Sequence, residues 1–88
     1  MIQELHTENV ETVDDFKYYP NPVKNKLSLK GKSVIQQVTI YNMLGQQVLS
    51  TAPNTLESIV NMSILNTGTY VVQVTINKLT KTIRVIKQ

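Results

Sequence analysis

The stretch Tyr70–Ile76, YVVQVTI, is the longest clean alternation in the chain: Tyr70, Val72, Val74 and Ile76 share one phase, and Val71, Gln73 and Thr75 the other. A period of two reads as a strand with one face buried and one face wet. The β-branched residues that dominate it agree with that reading. Working outward, NKLTK after Ile76 reads as a turn, and Ile83 and Val85 form the last inward pair. Before it, SILNTG (Ser63–Gly68) reads as a short connection with room for one helical turn. Gly68 then turns the chain into the long strand, a place for a backbone conformation that other residues resist.

The same period runs through most of the remaining chain. Phe16–Tyr19 is a short strand ended by Pro20, and Leu27 and Leu29 alternate with lysines and Ser28 until Gly31 closes the run. Val34–Tyr41 follows with Val38 and Ile40 on one face, and NMLGQQ around Gly45 is a turn leading into Val48–Thr51. Leu56, Ser58, Val60 and Met62 then alternate with Glu57, Ile59 and Asn61. About seven short strands, with turn signals roughly every ten residues and no long helix, predict an all-β antiparallel β-sandwich. Phase predicts a core of Leu27, Leu29, Val38, Ile40, Val48, Val60, Tyr70, Val72, Val74, Ile83 and Val85.

At 88 residues the chain is long enough for one small domain. Cysteine is absent, so no disulfide and no thiolate chemistry is available. The net charge of +3 hides a split. Residues 1–15 hold Glu4, Glu8, Glu11, Asp14 and Asp15 and no Lys or Arg, whereas residues 16–88 hold all 9 basic residues against one acid, Glu57. Residues 1–15 therefore read as an acidic flexible linker and residues 16–88 as the folded domain. No apolar run approaches the ~20 residues that span a bilayer. Residues 1–15 lack the pattern of a signal peptide, and the chain is open to being a fragment of something longer.

This inventory argues against an enzyme. One acid within residues 16–88 leaves no carboxylate pair, and the single histidine, His6, lies in the linker. The serines have lysines but no histidine to serve as base. Three scattered glycines make no phosphate loop. Asp14–Asp15 offers too few oxygens for calcium, so no metal and no cofactor is expected. The sequon NMS at Asn61–Ser63 is short enough to arise by chance. The basic surplus raises nucleic acid as a partner. Yet Tyr70 lies in phase with aliphatic residues, and FKYY is the sole stretch that interleaves rings and cations, so no nucleic-acid partner is expected.

The stretch Tyr18–Gly31, YYPNPVKNKLSLKG, needs its own explanation. Two prolines fix φ, remove donors and restrict the residue before each of them, while Asn21 can bond nearby backbone through its side chain. The segment is a rigid corner that protects a sheet edge. It does not stand alone. Tyr19, Pro20, Asn21 and Pro22 are followed in order by Ile40, Tyr41, Asn42 and Gly45, then by Leu65, Gly68 and Tyr70, then by Lys81, Arg84 and Lys87 around Ile83, Val85 and Ile86. These four elements resemble the C-terminal sorting domain of the type IX secretion system, type A, over residues 16–88. Two departures are the end in Lys87–Gln88 and a turn at Asn77–Lys78–Leu79 without glycine.

The resemblance implies an Ig-like sandwich that serves as an address tag on an upstream cargo protein. The cargo would cross the periplasm, the type IX translocon would read the folded domain, and a sortase-like peptidase would remove it at the cell surface or on release. The resemblance further implies a cut within residues 1–17, and the charge break narrows the expectation to Phe16 or a residue or two from it. Contact with the outer membrane would run through the translocon alone. The residues expected to carry the signal are Tyr19, Pro20, Asn21, Pro22, Gly45, Gly68, Tyr70, Lys81, Arg84 and Lys87, with Arg84 and Lys87 in water. The competing reading is an Ig-like adhesion or carbohydrate-binding module, which needs a ligand-facing cluster drawn from Tyr18, Tyr19 and Tyr41.

Overall fold

The computed structural model describes residues 16–88 and the backbone of residues 11–13. Among these residues the strands are β1 (Glu11–Val13), β2 (Phe16–Tyr19), β3 (Lys26–Tyr41), β4 (Gln47–Thr51), β5 (Thr55–Asn61), β6 (Gly68–Ile76) and β7 (Leu79–Lys87), with no helix. β1 lies in the segment whose sequence reads as linker and pairs with β2, Glu11 opposite Tyr18 and Val13 opposite Phe16.

Every strand pairing is antiparallel, and β3 belongs to both layers of a sandwich. Its first half lies between β2 and β5, Leu29 facing Tyr18 on one side and Ser58 on the other. Its second half lies between β4 and β6, Ile40 facing Leu49 and Val72. β7 extends the second layer beyond β6. The sequence predicts two strands parted at Gly31, and the structure joins them into one strand of 16 residues. The reason is local. The ladder to β5 shifts register between Lys30 and Ile35, and the ladder to β6 shifts between Ile35 and Gln37. Such irregularities bend and twist a strand without ending it. A Cβ at Gly31 would stand 2.5 Å from the Ser33 carbonyl oxygen, so the bend closes on itself where a side chain would be.

One apolar core fills the space between the layers. The residues expected there by phase are buried, apart from Val48, which is half-buried because β4 pairs with β3 alone. The core also takes Phe16, Tyr18, Val23, Ile35, Met62 and Ile76. Ile35 is out of phase with Val38 and Ile40, and the register shift beside it turns it inward. Each such side chain contributes roughly 1.5–3 kcal/mol when fully buried. The connection after β5 is a turn rather than a helical one: the Asn61 side chain accepts from the Ser63 N–H at 3.0 Å, and the Leu65 N–H donates to the Met62 carbonyl at 3.0 Å.

Candidate recognition surface

The two prolines of the corner leave Asn21 to do what backbone amides do elsewhere. Both the Tyr19–Pro20 and Asn21–Pro22 peptide bonds are cis. Asn21 Oδ1 accepts from the Ile86 N–H at 3.0 Å, and its Nδ2 donates to the Arg84 carbonyl at 3.3 Å. Beside it, the Val23 N–H donates to the Ile86 carbonyl at 2.7 Å and the Val23 carbonyl accepts from the Gln88 N–H at 2.8 Å. Residues 21–23 thus act as one more short strand along the outer edge of β7, with Val23 bridging in parallel to Lys87. The sequence suggests nearby backbone as the partner of Asn21. The actual partners lie 63 and 65 residues away.

The end of β7 departs from expectation at one residue. Arg84 is exposed, as expected. Lys87, expected in water, is buried at 7% exposure, and Ile86 is instead 47% exposed. Lys87 continues the inward phase of Ile83 and Val85, with Val23 bridged beside it in the ladder. Its stem packs inside while Nζ reaches the carbonyl of Gln88 at 2.7 Å, so the charge stays hydrogen-bonded while the methylenes are covered.

Across the ladder from Lys87 stands Gly68, and across from Val85 stands Tyr70. Gly68 holds φ 157°, beyond what side-chain-bearing residues ordinarily adopt, although no neighbour crowds it. The buried Tyr70 donates its hydroxyl to the Asn66 carbonyl at 2.6 Å, tying the loop down onto the strand that follows. This is the arrangement of a tyrosine corner. It explains why a tyrosine occupies the first inward position of β6.

The second motif, Ile40–Gly45, forms a turn at the same end of the molecule. Asn42 Oδ1 accepts from the N–H groups of Leu44 and Gln46 at 2.9 and 3.0 Å, and its Nδ2 donates to Gln46 Oε1 at 2.9 Å. Gly45 takes φ 85° and donates its N–H to the Asn42 carbonyl. Registers place the turn: Tyr41 faces Val71, and Val71 faces Arg84. The end of β3, the start of β6 and the end of β7 therefore lie side by side.

Most of the residues singled out in the sequence are thus brought together. Pro20, Asn21, Pro22, Gly68, Tyr70, Arg84 and Lys87 cluster around the end of β7, with Tyr19 leading into the corner from β2 and Gly45 two strands across. Lys81 is set apart, opposite Val74 in the other half of β7. Sequence reading missed Val23 and the anchoring role of Asn42. An asparagine opening a turn is a readable signal, whereas the pairing of Val23 is not local. None of the five aromatic rings is exposed: Phe16, Tyr18 and Tyr70 are buried, and Tyr19 and Tyr41 are half-buried. The described rings thus form no fully exposed cluster of the kind a sugar- or base-stacking platform presents. The Lys30–Glu57 ion pair, at 3.9 Å, is exposed and contributes at most about 1 kcal/mol.

Comparison with known proteins bears on this geometry. The family model described as "Secretion system C-terminal sorting domain" matches residues 17–88. Among solved structures, one similar chain comes from work on PorZ, described as an essential bacterial surface component of the type-IX secretion system of Porphyromonas gingivalis. It superposes with a TM-score of 0.70 at 24% identity, covering 85% of the present chain and 12% of that chain. The likeness is one of fold. Comparison with curated proteins finds no match.

Proposed function

Because the chain belongs to the secretion system C-terminal sorting domain family, we propose that the end surface built from the Pro20–Pro22 corner and the last strand is what the type IX translocon reads. The domain is a C-terminal sorting signal, and it marks a secreted or cell-surface protein of a Gram-negative bacterium. The family is not an enzyme family. An upstream cargo would pass through the periplasm, cross the outer membrane with the folded domain attached, and be released from it by a sortase-like peptidase.

The observation that carries this reading is the pairing of Asn21 and Val23 with Arg84, Ile86 and Gln88. The first and last sequence motifs are far apart along the chain and become one surface only when the domain is folded. A receptor that reads this surface reads the folded state, which suits a signal inspected after export.

Cleavage is expected before Phe16 or within a residue or two of it, with residues 1–15 as the linker and residues 16–88 as the sorting domain. Phe16 is buried and paired with Gly31, so a cut well beyond it requires opening the sandwich. The test is a fusion of the whole chain to an exported reporter in a strain with a type IX system. The reporter should reach the cell surface, and mass spectrometry should find a released fragment beginning near residue 16. A reporter held in the periplasm would remove the sorting reading, and a fragment beginning beyond Pro22 would remove the cleavage assignment.

A further inference from the structure

We propose that the outer face of the second layer, beside the Asn42 turn, docks a protein partner that offers an apolar pocket to Leu44 and a carboxylate to Arg84. The inference rests on the sorting reading and names the chemistry of the partner. Leu44 is 84% exposed and Met43 60%. A single exposed leucine is ordinary. This one stands on a turn whose backbone is fixed by the Asn42 side chain, which accepts from the N–H of Leu44 itself and of Gln46. A side chain held outward on a rigid support loses little freedom on binding, which is how interface anchors are built.

The knob has a hollow next to it. A concavity of about 350 Å³ is lined by Tyr41, Met43, Val71 and Gln73 among others. Ile40, Val72 and Val85 point inward, so Tyr41, Val71 and Arg84 face outward in one row across three strands. Ile86, 47% exposed, follows Arg84 on the same side of β7. A knob, a hollow and a cation therefore share one face.

Shape and charge select the occupant. A knob beside a hollow can interdigitate with another folded surface, whereas a fluid bilayer has no shape to match. Residues 16–88 carry one acid, Glu57, and it sits on β5 in the other layer. Among the described residues no acidic side chain of this layer stands beside the Arg84 cation, and a partner with an acidic rim complements it.

The experiment places Leu44→Asp and Leu79→Asp in the reporter fusion. Leu79 is also exposed, at 60%, but stands at the opposite end of β7. Both variants should melt at the parent temperature. Leu79→Asp should reach the cell surface as the parent does, while Leu44→Asp should fall by at least about tenfold and accumulate in the periplasm. Should Leu44→Asp unfold, Leu44→Ser is read in its place against the same expectation. Delivery of the parent and the folded Leu44 variant alike overturns the site and leaves the sorting reading intact. Failure of the parent to be delivered overturns both. Two further measurements use the isolated chain: sedimentation, and flotation with phosphatidylglycerol vesicles. Self-association or vesicle binding that Leu44→Asp abolishes would assign the face to a second copy or to lipid and overturn the proposal.

Discussion

The β6–β7 hairpin is held differently at its two ends. At the turn, Ile76 faces Leu79 and leaves Asn77 and Lys78 as a two-residue loop, both with positive φ, 52° and 65°. That is the backbone demanded by the tight turn that matches strand twist. Hydrogen bonds from the Lys78 N–H to Gln36 at 2.8 Å and from Asn77 to Ser33 at 3.3 Å pin the turn to β3. At the other end the strands do not meet in a loop. The last residues of β7 are kept in place by Asn21 and Val23, more than sixty residues upstream in sequence. The turn end forms from local chain. The open end must wait for long-range closure, whose entropy cost local contacts avoid. It is the open end that gathers most of the residues proposed to carry the signal, so the proposed recognition surface is the part that most reports complete folding.

Val74 lies between the two ends, buried and facing Val38 and Lys81, and it calibrates the comparison. Val74→Ala should destabilise the domain by about 1–3 kcal/mol, through lost burial and the cavity left behind. Chemical denaturation measures this directly. A change near zero would mean that the interior tolerates loss at its centre, and the contrast between the ends would then carry little weight.

Asn21→Ala should cost about 1–2 kcal/mol, since the Ile86 N–H and the Arg84 carbonyl both lose their partner. Hydrogen exchange sharpens the test. Protection should fall at residues 84–88 and stay unchanged at residues 79–82. A uniform loss along β7 would show that the two ends are not independently secured.

The strands were legible because one face is dry and the other wet, and alternation records that difference residue by residue. The long strand Gly68–Ile76 and the inward pair Ile83 and Val85 follow from it directly. Ile35 did not, because a register shift reverses its phase and leaves no compositional trace. The joining of two runs through Gly31 was hidden for a related reason, since glycine closes strands as readily as it bends them. Lys87 was hidden by its chemistry. Its position continues the inward phase, but a charged residue at a chain end argues for water. The candidate surface was legible as four motifs in order. Their meeting depends on pairing between the corner and β7, which no local pattern encodes.

At the turn end the expected effect is smaller and opposite in sign. Lys78 adopts a left-handed conformation that costs an L-residue roughly 1 kcal/mol relative to glycine. Lys78→Gly should therefore stabilise the domain by about 0.5–1 kcal/mol, offset in part by the extra freedom of the unfolded chain. The hydrogen bond to Gln36 comes from the Lys78 backbone and survives the change. Destabilisation would show that the lysine side chain, rather than its backbone, secures the turn.

The smallest effect on stability should come from Arg84→Ala, and it separates the two roles of the last strand. Removing β7 cannot do so, because losing Ile83 and Val85 dismantles the core along with any signal. Lys87→Ala cannot either. That side chain is buried, so its loss mixes packing with charge. Arg84 is free of this ambiguity. Its side chain is exposed, and the corner bonds to its backbone carbonyl, which alanine retains. Stability should change by less than about 0.5 kcal/mol. If the translocon reads the charge, the folded variant should keep its melting temperature while its reporter remains in the periplasm. Normal surface delivery would mean that β7 contributes its backbone and its apolar face to the signal, and that the guanidinium is not read.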